Sequence, residues 1–522
     1  MSPSTASPRQ ITKSGQYLAL AAALLGWMFD GFEMGLFSMV GRSAIQDLMG
    51  FTGTPTLDQE ATIGFYFGVV IAVFLVGAAT GGVVFGWLGD RIGRVRAMSL
   101  SVATYAIFTG LCGVVESPLQ IAVMRFIASL GMGGEWALGV ALVMEVWPNR
   151  SRALMAGLIG AAANVGYLLV GVIGMGLTSI LGNMEQWLLS LGLSPENSAS
   201  LVAYKGWRLM MILGAAPALL TFFFRLFVPE SHKWEQEKGR GSTSQWAARD
   251  LLGVVVGAAG PALIIYVWAN KVVLAVRIFG TLLGLAIATV GYVFPVMQFL
   301  KRTFALGGIT KEADAWKPTL RRMLLGACLS GVALLGTWGS TQWAPAWAGK
   351  LTQGRTDVPF AREHTQICLA IGAIIGTIAA ALIGDWLGRR VTYLLMCVSS
   401  LATALLFFQG NTEYGTFFLF TCFLAGTCTA SFYGWLPLYL PELFATKVRA
   451  TGQGFSFNFG RILAAIGALQ AGLLTKVPTT TIMGHDFAGG YPLACSAMSF
   501  IYVVGMGIIW LAPETKGQPL PE

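Results

Sequence analysis

The feature that most constrains this chain is the recurrence of apolar stretches long enough to cross a bilayer. A helix rising about 1.5 Å per residue needs about 20 mainly apolar residues to span a hydrocarbon core of about 30 Å. Such runs occur at 16–39, 62–88, 96–115, 119–145, 153–181 and 206–228, then at 251–269 and 272–299, and again at 322–348, 366–384, 391–409, 414–440, 449–472 and 492–512. That is six, two and six, or fourteen predicted helices, with polar stretches at 229–250 and 300–320 on either side of the central pair. Charged residues are 11% of the 522, against about a quarter in a soluble domain, so lipid is the solvent for most of this surface. The first run carries Asp30 and Glu33 and is too long for a signal-peptide core, so it stays as helix 1.

The same features exclude other classes. The net charge is +9, but no dense Lys/Arg tract points to nucleic acid. The seven cysteines contain no C-x-x-C and the three histidines stand alone, so neither a disulfide framework nor a metal site is expected. There is no H-E-x-x-H, no phosphate loop, and no polar segment large enough to fold alone. An enzyme is therefore not expected, and without an ATP site the energy for any uphill transport comes from an ion gradient.

The cations fix an orientation. Short loops rich in Lys and Arg stay on the cytoplasmic side. With the amino terminus inside, 23 of the 34 cations fall in inside loops and helix ends and nine outside, while Arg125 and Arg461 lie within spans. Both termini are then cytoplasmic. Removing one helix of the central pair would break the alternation.

The two outer groups of six are copies. Glu145-Val-Trp-Pro-Asn-Arg-Ser-Arg152 through Gly157 matches Glu442-Leu-Phe-Ala-Thr-Lys-Val-Arg449 through Gly454, and Gly89-Asp90…Gly93-Arg94 matches Gly384-Asp385…Gly388-Arg389. Pro229-Glu230-Ser231 closes the first copy as Pro513-Glu514-Thr515 closes the second. A parallel duplication of this kind forms two bundles around a midplane site.

These residues carry a family resemblance. Gly86-Trp-Leu-Gly-Asp90-Arg91-Ile-Gly93-Arg94-Val-Arg96 resembles the helix 2–3 signature of the major facilitator superfamily. Arg125, the Glu145…Arg152 block, Pro229-Glu230-Ser231, Pro437-Leu-Tyr-Leu-Pro-Glu442 and Pro513-Glu514-Thr515-Lys516-Gly517 resemble sugar-porter signatures. Asp30-Gly31-Phe32-Glu33 and Gly131-Met-Gly-Gly-Glu135-Trp136 resemble the aromatic-acid and sialate proton symporters, and the extra central pair is what the sialate branch carries. The resemblance implies an all-α membrane protein with the major facilitator fold: two six-helix bundles plus an inserted pair. Its divisions would be a tail (1–15), a first bundle (16–228), central loops and helices (229–321), a second bundle (322–512) and a second tail (513–522).

Three groups of candidate site residues follow. For gating, Asp90 is expected to cap a neighbouring helix N-terminus, where the dipole favours an anion, and to pair with Arg94. Arg91, Glu145 and Arg152 would join it, with Asp385, Arg389, Glu442 and Arg449 as the second copy. Trp386 stands where the first copy has Arg91, so the second latch is expected to be weaker. For proton coupling, ionisable groups at bilayer depth are functional candidates. Asp30 and Arg125 both fall about 9 Å from the outer boundary by rise per residue, so they are expected to pair, with Asp30 as proton carrier; the resemblance to proton-linked sugar porters, with an acid on helix 1 and an arginine on helix 4, agrees. Glu33, one turn on, is the alternative acid or a substrate contact, and Glu135 lies deeper on another face. For substrate, Arg461 is expected to fork onto a carboxylate. Asn164, Tyr167, Trp338, Gln342, Gln366, Tyr433, Trp435 and Asn458 would complete a polar cavity, with a broken helix end near Trp338 and Gln342.

The expected function is secondary active transport by alternating access: proton-coupled symport of a small organic acid, sialate-like or otherwise, or of a sugar. An uncoupled facilitator and a proton-antiport exporter are the alternatives. The expected partners are a small solute and the lipid bilayer, with no nucleic acid and no cofactor beyond the proton gradient. A monomer in a bacterial inner membrane is expected.

Overall fold

The computed structural model describes residues 12–306, 316–470, 478–482 and 485–522. The tail before residue 12, the segment 307–315, and Arg9, Lys311 and Lys476 of the topology argument lie outside the described residues.

The first copy is built from α1 (Lys13–Leu48), α2 (Leu57–Ile92), α3 (Arg94–Leu111), α4 (Pro118–Val146), α5 (Arg152–Ser190) and α6 (Pro195–Arg225). Local signals set their ends. Thr56 and Gln59 form a capping box at the start of α2, and Ser117 caps α4 with Pro118 in the first turn. A short helix, α7 (His232–Gly239), precedes the inserted pair α8 (Leu251–Ala269) and α9 (Leu274–Leu306). The second copy comprises α10 (Lys317–Gly339), α11 (Ala344–Leu351), α12 (Ala361–Leu387), α13 (Arg389–Gly410), α14 (Thr416–Thr429), α15 (Phe432–Tyr439), α16 (Arg449–Asn458), α17 (Arg461–Leu469), α18 (Tyr491–Ser499) and α19 (Ile501–Ile508). A two-stranded antiparallel hairpin, Thr480–Ile482 with His485–Phe487, precedes α18.

Among the described residues twelve segments are long and apolar enough to span a membrane. The two remaining apolar runs are helical but fall outside that count. One is α6, which is kinked at 203–206, where Tyr204 and Lys205 have positive φ. The other is the α16–α17 pair, divided at Phe459–Gly460.

The copies meet through equivalent elements. α2 packs on α16 and α17, and α12, the copy of α2, packs on α5, the counterpart of α16 and α17. Within each copy a glycine allows the tightest approach. A Cβ on Gly81 would overlap the Leu130 carbonyl of α4, and one on Gly376 would overlap the Thr427 carbonyl of α14. The most apolar stretch of α4 is 83% buried and that of α9 only 22%, so α4 is the centre of its bundle and α9 faces lipid. α8 and α9 interlock through Gly253, Gly257, Gly260, Gly284 and Gly291. They lie against α2 and α17, and a buried hydrogen bond of 2.7 Å joins Tyr292 to Thr80.

Candidate functional site

A cavity lies between the copies, walled by α1 and α5 on one side and by α10, α12, α14, α15, α16 and α17 on the other. Seven of the nine predicted substrate residues line it: Asn164, Tyr167, Trp338, Gln342, Gln366, Tyr433 and Arg461. Trp27 and Phe457, not singled out from sequence, add aromatic wall. The chain opens polar positions here by interrupting helices. α10 stops at Gly339, Ser340 leaves helical geometry (φ −128°, ψ −85°), and Gln342 sits in a single tight turn before α11. Trp343 returns its indole N–H to the Trp338 carbonyl at 3.1 Å.

Arg461 starts α17 just after the Phe459–Gly460 turn. It is 3% exposed, and its Nε and Nη1 make no hydrogen bond among the described residues. The guanidinium lies 5.8 Å from the Phe457 ring and feels Tyr433, Tyr167 and Asp30 electrostatically. A buried donor left unmatched is costly and rare in folded proteins, so this one is available to a ligand.

Trp435 and Asn458 do not line the cavity. Two residues beyond Tyr433, Trp435 is rotated about 200° round its helix; it packs on Tyr393 and Tyr439 behind the wall. Asn458 donates to the Gly133 carbonyl of α4 at 2.9 Å, a rung between the two copies.

The buried charges are arranged differently from the expected Asp30–Arg125 pair. Arg125 forms its ion pair with Glu33, and its guanidinium is held between the Phe37 and Phe74 rings at 4.2 Å each. Three residues on a helix are offset by about 60°, and that offset turns Glu33 toward α4. Asp30, fully buried, instead acts on Tyr105 and Arg461, and the Tyr105 hydroxyl donates to Phe29 O at 3.1 Å. Glu135 is 2% exposed and also acts on Tyr105.

At the α2–α3 end of the molecule a charge network ties the copies together. Gly93 (φ +114°) and its repeat partner Gly388 (φ +97°) make the turns, conformations that favour glycine. Asp90, fully buried, accepts from Thr451 Oγ1 (2.6 Å), Thr451 N (2.9 Å) and Ala450 N (3.2 Å) at the start of α16, and pairs with Arg94 at 2.7 Å. Arg94 also reaches Glu145 (3.1 Å) and the Thr446 carbonyl (2.7 Å), and Glu145 pairs with Arg449 at 2.7 Å. Arg449 donates to Pro521 O as well. In the second copy Arg389 grips Glu442 with two bonds, 3.0 and 2.7 Å. Asp385, its side chain 53% exposed, stands 3.7 Å from Arg389. Arg152 sits in the field of Glu442, Asp385 and Arg389. Arg91 is exposed and rests 4.9 Å over the Trp87 ring, outside the network. The second copy's openness therefore comes from the exposure of Asp385, not from Trp386 replacing an arginine.

The two Pro-Glu-Ser/Thr motifs that close the copies act on the glycine turns. Glu230 accepts from Arg94 N and Val95 N, and Glu514 accepts from Arg389 N and Arg390 N, so each caps the helix after the glycine turn. The following hydroxyls, Ser231 and Thr515, donate to Glu145 and Glu442. Burial pushes the Glu230 carboxyl above the usual glutamate range despite its backbone donors. Burial also acts upward on Glu514, but donors from Arg389, Arg390, Lys516 and Thr515 outweigh it and leave that carboxyl below the usual range.

Comparison with known proteins agrees with this architecture. The description Major Facilitator Superfamily matches residues 18–468. A Haemophilus influenzae protein named for metabolite transport is 25% identical, over 96% of this chain and 97% of its own. The cis,cis-muconate transport protein of Acinetobacter baylyi is 25% identical over 78% of each. Among solved structures, the proton:xylose symporter XylE superposes with a TM-score of 0.64 at 16% identity, covering 98% of both chains.

Proposed function

Because this chain belongs to the major facilitator superfamily, and is a multi-pass membrane transporter rather than an enzyme, we propose that it is a proton-coupled symporter of a small organic acid. The observation that carries the reading is Arg461: a buried guanidinium on the cavity wall with two nitrogens unmatched and aromatic rings around it. A carboxylate supplies the complementary charge and geometry for the guanidinium, whereas a neutral sugar supplies no charge to meet it. The relative named for cis,cis-muconate transport fits an acid substrate.

Charge balance supports coupling. Asp30, Glu33 and Glu135 share the membrane interior with Arg125 and Arg461. Neutrality of that set requires one proton, and admitting a carboxylate requires a second, because uncompensated charge in hydrocarbon is costly. With Glu33 engaged by Arg125, Asp30 is the carrier in this reading: the bound acid draws Arg461 away, and Asp30 takes up a proton. The Asp90 and Glu145 network is the latch that holds one face closed and releases on reorientation. The kinked α6 and the α16–α17 pair complete fourteen spans, both tails are cytoplasmic, and the protein works as a monomer in a bacterial inner membrane with the proton gradient as its driving force and no cofactor.

The test is solute uptake in vesicles with an imposed pH gradient, comparing carboxylates with sugars. Uphill, pH-dependent uptake of an acid that is lost in Asp30→Asn supports the reading. Equal downhill entry with and without the gradient would make the protein a facilitator.

A further inference from the structure

A second set of cations lies outside both the cavity and the latch. Lys317, Arg321 and Arg322 in the first turns of α10 and Arg390 at the start of α13 line one groove, with Leu325 and Leu511 among its apolar walls. Positions 317 and 321 share a helix face by their i, i+4 spacing, and Arg322 flanks them. Arg322 donates to the Leu443 carbonyl at 3.2 Å and Arg390 to the Ala512 carbonyl at 2.6 Å, which holds two guanidiniums in place while Lys317 and Arg321 are exposed. No carboxylate lines the groove among the described residues. The nearby Glu514 is turned to the backbone N–H groups of Arg389 and Arg390. Leu511 is 65% exposed and Trp510 beside it 52%, an apolar lip with an indole of the kind that sits at the membrane–water boundary.

The first copy lacks the same cations. Val95 stands where the second copy has Arg390, and α1 carries one cation, Lys13, in its first turns. Loop retention alone would treat the two copies alike. We propose that this groove binds the headgroup of an anionic phospholipid, its phosphate among the four cations and its acyl chains along Leu325, Leu511 and Trp510. Basic pockets between spanning helices are a known solution for such headgroups. The proposal rests on the membrane reading above, and on neither the substrate nor the coupling.

The full-length protein, purified in detergent, is titrated with phosphatidylglycerol or with phosphatidylcholine of the same chains, and bound lipid is counted by native mass spectrometry. The anionic lipid is expected to be retained over the zwitterionic one. Lys317→Gln/Arg321→Gln is expected to weaken retention by roughly tenfold or more, at about fivefold per cation. Arg96→Gln/Arg150→Gln, which removes two exposed cations elsewhere, is expected to leave it unchanged. Equal retention of both lipids, or equal losses in the two double variants, would overturn the site. Displacement of the lipid by millimolar glycerol phosphate would overturn the lipid assignment in favour of a soluble phosphoester. Solute uptake measured on the same preparations reports the transport reading separately, so either can fail alone.

Discussion

In the first copy α1, α4 and α5, of which α1 and α5 wall the cavity, run unbroken for 36, 29 and 39 residues. Their counterparts in the second copy stop and restart: α10 at Ser340, α14 at Ala430–Ser431 and α16 at Phe459–Gly460. At the last two breaks the backbone tightens to i−3 bonds, Ser431 N to Cys428 O and Ile462 N to Phe459 O. The charges divide the same way. The first copy buries Asp30, Glu33, Glu135 and Arg125, and the second buries Arg461 with two nitrogens unmatched. Gene duplication supplied one scaffold, but an unbroken helix satisfies its own backbone and can carry opposed charges, whereas a broken one offers polar groups to a ligand. One copy buries opposed charges in unbroken helices, and the other breaks its helices beside the cavity.

The largest effect that would break this comparison concerns the two buried arginines. Arg125→Met leaves Glu33 buried without its partner and is expected to cost about 3–5 kcal/mol of stability, read as a lowered Tm in detergent. Arg461→Met removes a charge that makes no ion pair within 4 Å among the described residues, so Tm should fall less than in Arg125→Met while solute affinity falls by roughly thirtyfold or more. Equal destabilisation by both would erase the distinction.

The next test contrasts the two latches. Asp90→Asn disturbs charged hydrogen bonds worth about 1.5–3 kcal/mol each and is expected to lower turnover by roughly tenfold or more. Asp385→Asn touches a half-exposed pair worth about 1 kcal/mol at most and should change turnover by less than about threefold. Steady-state uptake rates at equal expression decide it; equal effects would make the latches equivalent.

The inserted pair gives a smaller signal. Tyr292→Phe removes one buried bond to Thr80, worth about 1 kcal/mol. It should lower Tm slightly and leave solute affinity unchanged, which a binding assay would check.

The smallest effect is in pH dependence. Glu514 lies below its ordinary range, so the stability it adds is present above the unfolded value and fades as pH falls through the folded one. Glu230 lies above its range, so its contribution is present at acid pH and fades as pH rises through the folded value. Glu514→Gln should flatten the acid limb of a Tm–pH profile, while Glu230→Gln should raise stability near neutrality relative to acid. The same change in both profiles would show that the two caps do not differ.

Much of this was legible in the residues. Asp90 at a neighbouring helix start, its pairing with Arg94 and the helix break after Trp338 all follow from motif, repeat and Gly/Pro placement, whereas the Glu145–Arg449 pair crosses between the two latches that the sequence keeps separate. Seven cavity residues were legible because polar groups in apolar spans have few other places to go. Trp435 and Asn458 have the same composition signal but face other ways, and only the packing of α15 and α16 reveals it. Glu230 and Glu514 were visible as a motif, but their task appears only when the chain returns to the glycine turns more than 120 residues away in sequence.

What the sequence determined by itself is whatever depends on local or periodic properties: helices long enough for a bilayer and a duplication readable at a fixed offset. What only the tertiary structure decided is which opposite charges meet. Asp30 and Glu33 lie at similar depth on one helix, and about 60° of rotation assigns Arg125 to the second and leaves the first facing Tyr105 and Arg461. Depth follows from counting residues, but direction depends on how neighbouring helices pack, and pairing of buried charges is set by direction.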